Sequence, residues 1–340
     1  MPPSDAKPRP TLKSIATETG LAVTTVSRAL SDAPDIGAGT KALVREVAAR
    51  VGYRPNRAGV RLRTGRSNVI SILMSQGRDL TGHTARLIHA FATELRDTGF
   101  HLIVTPTFDD EDPLEQLRYL RDTGSADAVV INKVQPRDSR IAFLHEHSIP
   151  FVTHGRSDMG IAHGWYDFDN TRFATLAVEA LAARGRRNLL VVAPPIEQNY
   201  AQHIMAGAEA AARAAGMRCR RLEEATSDAP GDAIEAAVSA ALADTAPDAA
   251  PDAILCASTA STIAAAAAIE EAGLTIGQDV DLAAKEPFPF LRRFRAPIIA
   301  LPENVSGAGT FLARAALAAI RRPGDPPMTH LEIPEPPPGD

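Results

Sequence analysis

Cysteine and long apolar runs are scarce in this chain. Only Cys219 and Cys256 occur, without the spacing of a metal site, so we expect a reduced, cytoplasmic protein. No window of about 18 residues is apolar and free of charge, so no membrane-spanning helix is expected. Residues 1–10 hold four prolines and no apolar core, so we expect no signal peptide.

The residue patterns of common enzyme and metal sites are also missing. The chain has no Gly-x-Ser-x-Gly turn, no phosphate-binding P-loop and no dinucleotide-binding glycine set. Among nine histidines there is no His-x-x-x-His spacing, and His145 and His147 would point to different faces of a helix. We therefore expect no enzyme activity, no cofactor and no metal.

What is present is a strongly uneven charge distribution. Residues 1–66 carry 12 Lys and Arg against 5 Asp and Glu, a net charge of +7, whereas the whole chain carries −5. A basic segment on an acidic body is typical of a nucleic-acid-binding domain joined to a soluble partner domain. The simpler alternative is that the basic residues only form a solvated face.

Short amphipathic helices are predicted in the basic segment. Gly20 separates the first two, because glycine readily adopts the positive φ that ends a helix. The predicted inward positions of the three helices are Leu12, Ile15 and Ala16, then Val26, Ala29 and Leu30, then Leu43, Val44, Val47 and Val51. This layout predicts a helix-turn-helix, although any two amphipathic helices joined by glycine look similar.

The second helix of such a motif enters the major groove of DNA by its N-terminal end. Val23 and the methyl group of Thr24 would contact a thymine methyl, and Arg28 would bond to guanine. The hydroxyls of Thr25 and Ser27 suit phosphate oxygens.

From Asn68 onwards, apolar strand-like runs alternate with helix-like runs. NVISILM, HLIVT, AVVIN and PFVTH form a first set, and NLLVVA, AILCA, VDLAA and PIIALP form a second. This alternation predicts parallel sheets covered by helices on both faces. Two successive α/β halves predict two lobes with a cleft, and ligands bind at the carboxyl ends of such strands.

The runs TLKSIATETGLAVTTVSRAL and VGYRPNRAGVRLRTGRSNVI resemble the lactose/galactose repressor (LacI/GalR) family of bacterial transcription regulators. The resemblance covers nearly the whole chain. PNRAGVRLRTGRSNVIS and PFVTHGR…DFDN are most similar to repressors of α-glucoside uptake in alphaproteobacteria. The resemblance to the LacI/GalR family implies an all-α helix-turn-helix DNA-binding domain plus an α/β two-lobed, periplasmic-binding-protein-like effector domain. The implied boundaries are a disordered N-terminus (1–10), the helix-turn-helix (11–55), a hinge helix (56–66), the effector and dimerisation domain (67–333) and a disordered tail (334–340).

The resemblance also implies further DNA contacts, from Tyr53, Asn56, Arg57 and Leu62. Residues 56–66 would form a hinge helix that folds on operator DNA, where Leu62 would pry open a base step in the minor groove. Gly59 stands where the family usually has alanine, which costs a helix about 1 kcal/mol. The alternative interpretation of this segment is a plain basic linker.

Sugar sites combine planar carbonyl, amide, carboxylate and guanidinium groups with an aromatic face for the sugar ring. The candidates at expected strand ends and cleft walls are Gln76, Lys133, Arg156, Trp165, Tyr200, Gln202, His203 and Glu286. Trp165 has an alternative role as a core residue. Ile204 replaces an arginine that the family often uses on sugars, Ser258 and Thr259 replace an Asn-Asp pair, and Glu286 keeps one acid of a later pair.

The resemblance therefore implies a cytoplasmic homodimer that binds a pseudo-palindromic, double-stranded operator. A small effector, expected to be a sugar, would release it as an inducer, and no membrane partner is expected. Three alternatives stay open: a regulator that needs a corepressor, an anionic effector such as a phosphorylated sugar held by Arg156 and Lys133, and a sugar-binding receptor without a DNA function.

Overall fold

The computed structural model describes residues 10–53, 65–75, 82–108, 110–244, 250–295 and 297–337. It divides the chain into two compact units, Met1–Ser67 and Asn68–Asp340. No helix among the described residues is long and apolar enough to cross a membrane.

The described residues of the first unit form three helices. They are Leu12–Thr19 (α1), Val23–Leu30 (α2) and Ala38–Arg50 (α3). Thr11 caps α1 in a reciprocal capping box with Ser14, and Gly20 ends α1 with φ 69°. The buried side chains are Ile15, Ala16, Val26, Ala29, Val44, Val47 and Ala48. The predicted helix-turn-helix is confirmed.

The prediction that Leu43 of α3 packs in the core is wrong, because its side chain is 45% exposed. Helix α3 turns Val44, Val47 and Ala48 inward, at the i, i+3, i+4 spacing of one helical face. Leu43 lies one position before that face and is therefore rotated out of it.

The second unit contains two lobes, each built on a parallel sheet. The first sheet has strands Val69–Ser75 (β1), His101–Thr107 (β2), Ala128–Ile131 (β3), Phe151–His154 (β4), Gly164–Phe168 (β5) and Thr329–Glu332 (β11). Their order is β11-β5-β4-β3-β1-β2. The helices of this lobe are His83–Glu94 (α4), Glu115–Thr123 (α5), Ser139–Glu146 (α6) and Val305–Arg321 (α12).

The second sheet has strands Asn188–Val192 (β6), Arg218–Arg221 (β7), Ala253–Cys256 (β8), Asp281–Glu286 (β9) and Ile299–Pro302 (β10). Their order is β10-β9-β8-β6-β7. The accompanying helices are Asn170–Ala183 (α7), Asn199–Ala214 (α8), Gly231–Leu242 (α9), Thr259–Glu271 (α10) and Leu291–Phe294 (α11). Apolar clusters cover both faces of this sheet, as expected of parallel strands.

The two lobes are not simply successive along the chain. After β10 the chain returns to the first lobe, where α12 packs against α4 and β11 pairs with β5. The close approach of α12 requires Gly309, because a Cβ there would collide with the carbonyl oxygen of Leu87. The chain thus crosses between lobes around Asp169 and again around Glu303.

Strands β5, β7 and β11 are absent from the predicted pattern. Strand β5 reads GWYDF, yet four of its five residues are buried. Strands β7 (RCRR) and β11 (THLE) lie at sheet edges, where one face meets solvent and polar residues are tolerated. Their lack of apolar runs follows from that position. Of the predicted tail 334–340, residues 334–337 are described, and Pro334 is buried.

Candidate functional site

The surface of the first unit that faces solvent includes the N-terminal end of α2. Ala22 precedes this helix without a side-chain cap, so the first peptide N–H groups are available to an external acceptor. Val23 is 43% exposed and Thr24 is also exposed, while Thr25 and Ser27 are half-buried. An exposed valine beside uncapped N–H groups suits a groove in which bases and phosphates lie side by side.

Arg28 lies on the same helix and forms an ion pair with Asp35, at 2.5 Å between Nη2 and Oδ2. Both side chains are more than half exposed. The hydrogen bond from Arg28 lowers the pKa of Asp35, which therefore stays ionised. Exposed pairs of this kind are weak, so Arg28 can exchange its partner for a base at little cost.

The remaining predicted DNA contacts are not all described. Tyr53 is half-buried and packs against the core of the first unit. Asn56, Arg57 and Leu62, with most of the predicted hinge helix, lie outside the described residues.

The second unit holds a cavity of about 210 Å³ at the carboxyl ends of the strands. By the same measure, a single water needs roughly 10–15 Å³, so the cavity accommodates a small molecule. It is lined by Met74, His83, Thr84, Asn132, Lys133, His154, Gly155, Asp167, Phe168, Asn170, Tyr200, Ser227, Asp228, Ala257, Ser258, Thr259, Ala260, Lys285, Pro287 and Glu303. Both lobes contribute, as predicted for a cleft.

Of the predicted ligand residues, Lys133 and Tyr200 line this cavity. Lys133 follows β3 with φ 50°, a left-handed conformation that is uncommon outside glycine. Its ammonium lies 2.7 Å from the carboxylate of Asp228 in the other lobe. Tyr200 is the second residue of α8, and burial raises the pKa of its hydroxyl well above the usual value.

Arg156 and Trp165 lie behind the cavity wall. The Nε of Arg156 donates to Asp167 at 2.7 Å, and its guanidinium stacks 5.4 Å from the centre of the Trp165 ring. Burial raises the pKa of Asp167, although Arg156 opposes that shift. Arg156 is thus placed to hold Asp167, which does line the cavity.

Glu286 was predicted to line the cleft, but it is not among the residues that line the cavity. Its side chain is buried on the opposite side of β9, where one carboxylate oxygen accepts hydrogen bonds from the N–H groups of Phe290 (3.1 Å) and Leu291 (2.9 Å). Alternate residues of a strand face opposite sides. Lys285, rather than Glu286, therefore faces the cavity.

The other predicted residues are also away from the lining. Gln202 is exposed and donates to the carbonyl of Ile196 at 3.0 Å. His203 is half-buried and is absent from the described lining residues. Gln76 lies outside the described residues. Ile204, which replaces the family arginine, is fully buried in the core of the second lobe.

A cluster of titratable groups lies at the second crossing between the lobes. Glu303 is 6% exposed, and its Oε2 lies 3.4 Å from the Lys285 ammonium and 3.7 Å from Nε2 of His83. Burial alone would raise the pKa of Glu303, but Lys285 and His83 hold it well below the usual range. Burial and His83 lower the pKa of His154 to about 4, so His154 is neutral near pH 7.

Lys285 is the central donor of this cluster. Its ammonium contacts the Asn170 side-chain oxygen at 3.3 Å and lies over the rings of Phe168 and Tyr200, 5.1 and 5.6 Å from their centres. Only 11% of its side chain is exposed. Lys285 and Glu303 are not among the predicted ligand residues, although both lie at strand ends, where polar ligand residues are expected.

Thr259 is a further lining residue, which the sequence indicated only as a replacement for part of the family's Asn-Asp pair. It begins helix α10 behind the cap residue Ser258, and both line the cavity. Thr259 is 2% exposed, and its hydroxyl has no hydrogen-bond partner among the described atoms. A buried polar group without a partner is costly, so it marks a place where a ligand atom would be stabilised.

Within the part of the chain that the structure describes, no group of three or more His, Cys, Asp or Glu side chains could hold a metal ion. The cavity offers hydrogen-bond donors and acceptors from both lobes, with the rings of Phe168 and Tyr200 and with Pro287 as apolar contacts. This arrangement suits binding of a polyhydroxylated molecule.

Two family models match the chain. The model for periplasmic binding proteins and the sugar-binding domain of the LacI family matches residues 80–302, and the model for bacterial regulatory proteins of the lacI family matches residues 11–56. Among curated relatives, the HTH-type transcriptional regulator AglR of Rhizobium meliloti is 32% identical over 326 residues, covering 94% of this chain and 90% of that protein. RafR of Escherichia coli is 32% identical over 191 residues, 56% of each protein.

Solved structures share the fold at low sequence identity. The lac repressor dimer bound to operator and the anti-inducer ONPF gives a TM-score of 0.80 with 19% identity, covering 96% of this chain and 97% of that one. The complex of the transcriptional regulator CelR with cellobiose gives 0.68 with 23% identity, covering 96% and 98%. These matches confirm the predicted combination of a helix-turn-helix with a two-lobed α/β body.

The family assignment rests on both parts of the chain. The larger model spans well over half of it, and the smaller one spans the helix-turn-helix. The resemblance read from the sequence is confirmed: the protein belongs to the LacI family and is a DNA-binding, sugar-responsive transcriptional regulator.

Proposed function

We propose that this regulator is a cytoplasmic, homodimeric repressor of genes for sugar uptake or catabolism, and that a sugar inducer releases it from DNA. The observation that carries the proposal is the polar cavity at the strand ends, in a chain that also has an exposed, uncapped recognition helix. A repressor acts where the DNA is, which supports the cytoplasmic location.

The proposed effector is a sugar or glycoside that bonds to both lobes. Two lobes already contact each other through Lys133 and Asp228, and Asn199 donates to the carbonyl of Arg156 at 2.8 Å. A ligand that bonds to groups on both sides stabilises the closed arrangement relative to an open one, and this difference in affinity is sufficient to shift the equilibrium. The α-glucosides are the first candidates, given the sequence resemblance.

The proposed DNA target is a pseudo-palindromic operator, since the two recognition helices of a homodimer read two related half-sites. The solved lac repressor structure with a dimer on operator DNA supports this assembly. In this proposal, residues 56–66 form the hinge helix and the effector controls their folding.

The hinge proposal is tested by Leu62→Ala. We expect a loss of affinity on the operator and little change on random DNA, because a leucine wedge acts at one base step that the operator provides. Gel shifts on both DNAs measure the two affinities. An equal loss on both would show that Leu62 is not a wedge.

The function is tested by selecting bound fragments from random DNA and repeating the binding at two salt concentrations. We expect an enriched pseudo-palindrome whose complex weakens steeply with salt. A panel of mono- and disaccharides is then added, and one member is expected to release the DNA. A sugar that tightens the complex would favour a corepressor, and absence of any specific complex would favour a receptor without a DNA function.

We further propose that the cleft has no enzyme activity. The described lining residues contain carboxylates and lysines in ion pairs, and the sequence shows no nucleophile motif. Incubation with the same glycosides should leave them unchanged. Hydrolysis that depends on Glu303 or Asp167 would overturn this proposal.

A further inference from the structure

We propose that Asp228 excludes negatively charged ligands from the cleft, so that this regulator responds to neutral sugars and rejects sugar acids and sugar phosphates. The inference rests on the proposed function, because it assumes that the effector binds in this cavity. It assigns a selective role to a residue that neither the sequence motifs nor the charge pattern indicated.

The neighbourhood of Asp228 has the features of an anion site. Helix α10 points its N-terminus at the cavity, with Ser258, Thr259 and Ala260 in the lining. The Ser258 side chain caps the N–H of Ser261, and no hydrogen bond of the described residues uses the N–H groups of Thr259 and Ala260. The unpartnered hydroxyl of Thr259 lies in the same wall. Such helix ends attract oxygen atoms and favour negative charge.

A lysine is also present, which would normally strengthen binding of an anion. The Lys133 backbone is held in its left-handed conformation by Arg140, which donates to the carbonyl oxygens of Asn132 and Lys133 at 3.1 Å each. Arg140 is itself fixed by the buried carboxylate of Asp138 at 2.7 Å. Lys133 is therefore a preorganised cation at the cleft.

Asp228, which lies in the opposite lobe, forms an ion pair with the ammonium of Lys133. Its Oδ2 lies 2.7 Å from the Lys133 ammonium, and its other oxygen accepts a hydrogen bond from Ser227 at 3.4 Å. The Ser258 hydroxyl contacts the Ser227 carbonyl at 3.5 Å, so the segment that carries Asp228 adjoins the start of helix α10. The protein thus supplies its own carboxylate at the place that a ligand carboxylate or phosphate would need.

The other cations near the cavity are paired as well. Lys285 is paired with Glu303, and Arg156 is paired with Asp167. The lining itself contains two lysines and three carboxylates, and Arg156 behind the wall balances Asp167, so an incoming anion meets cations that each already face a carboxylate. Like charges in a poorly hydrated site repel strongly, whereas a neutral hydroxyl can donate to a carboxylate and accept from an ammonium at once.

The test compares Asp228→Asn with the wild-type protein, because asparagine keeps the size and removes the charge. Binding is measured by calorimetry for neutral probes (glucose, galactose, maltose and cellobiose) and for charged counterparts (glucuronate, galacturonate and glucose 6-phosphate). Glu223→Gln is the matched control, since it removes an exposed carboxylate of the same lobe that pairs with Arg221. Lys133→Met combined with Asp228→Asn tests whether any new anion affinity uses the freed ammonium.

We expect the wild-type protein and Glu223→Gln to bind a neutral probe and to reject its charged counterpart. In Asp228→Asn the affinity for that counterpart should rise by about tenfold or more, fall with added salt, and disappear in the double variant. A rise of less than about twofold, with neutral binding intact in the wild-type protein, overturns this inference alone. If no probe binds to the wild-type protein or the variants, the proposed effector site is overturned together with it.

Discussion

Charged side chains are arranged differently in the two units of this protein. In the first unit, Arg28 and Asp35 pair in solvent, with 58% and 52% of their side chains exposed. In the cleft of the second unit, Lys285 and Glu303 pair with 11% and 5% exposed. The difference matches the two tasks: a DNA-reading arginine has to change partners, whereas groups that define a ligand cavity have to stay in place.

This comparison predicts that the buried pair matters most for stability. In Lys285→Met the Glu303 carboxylate is left buried without its lysine partner, so the free energy of unfolding should fall by about 3 kcal/mol or more. Urea unfolding followed by Trp165 fluorescence measures it. Arg314→Met is the control, because its pair with Glu94 is exposed and should contribute much less. Equal losses of unfolding free energy in the two variants would show that the buried ion pair stabilises the protein no more than the exposed one.

Acid should affect the second unit through His154, while residues 1–66 contain no histidine. The pKa of His154 is about 4 when folded and 6.5 ordinarily, so the unfolded state takes up its proton first as the pH falls. The free energy of unfolding should therefore fall by up to about 3 kcal/mol between pH 6.5 and 4. The depressed pKa of Glu303 adds a further loss only as the pH falls below its ordinary 4.5.

The pH prediction is measured by repeating the urea unfolding at several pH values with His154→Gln. Glutamine does not titrate, so the slope between pH 6.5 and 4 should become shallower in the variant. An unchanged slope would assign the acid sensitivity to another group, such as His163, whose pKa is also lowered by burial.

Arg28→Ala should affect DNA binding and leave stability almost unchanged, which is the reverse of Lys285→Met. We expect a loss of operator affinity of about tenfold or more and a relaxed preference at one base pair, since a bidentate contact to guanine is removed. Competition gel shifts against single-base operator variants measure both effects. Arg45→Ala is the control, because this change on α3 breaks an exposed ion pair between Arg45 and Asp32. An unchanged base preference in Arg28→Ala would argue against a base-reading role.

The smallest predicted effect concerns a neutral group of the cleft. Thr259→Val removes the unpartnered hydroxyl, so the unliganded protein should be as stable as before or slightly more stable. Affinity for the sugar that releases the DNA should fall by roughly two- to tenfold, the value of one neutral hydrogen bond. Thr175→Val on the exposed face of α7 is the control. Unchanged sugar affinity would place the ligand away from the start of α10.

The sequence was most informative where function depends on neighbouring residues. The helix-turn-helix lies within 40 residues, and Gly20, Val26 and Ala29 have the roles that their spacing predicts. Leu43 was wrongly assigned to the buried face of α3 because it directly precedes Val44, and one residue along a helix turns a side chain by about 100°. The alternation of strands and helices also predicted the two-lobed body.

The cleft was less accessible to the same reasoning. Lys133 and Tyr200 were predicted because polar residues after buried strands lie at the carboxyl edge of a sheet. Glu286 and Lys285 are adjacent in β9, and only the register of the strand decides which one faces the cavity. Asp228 follows β7, an edge strand without an apolar run, so nothing in the pattern placed it near a strand end.

The sequence by itself determined the basic charge of the first unit, the identity of its recognition helix, the alternation of strands and helices in the second unit, and the family. These features depend on local spacing and composition, which are readable without coordinates. The tertiary structure decided that α12 and β11 return to the first lobe, and that Lys133 meets Asp228 and Lys285 meets Glu303. Those pairings join residues from separate strands and lobes, so they depend on how the chain crosses between the sheets.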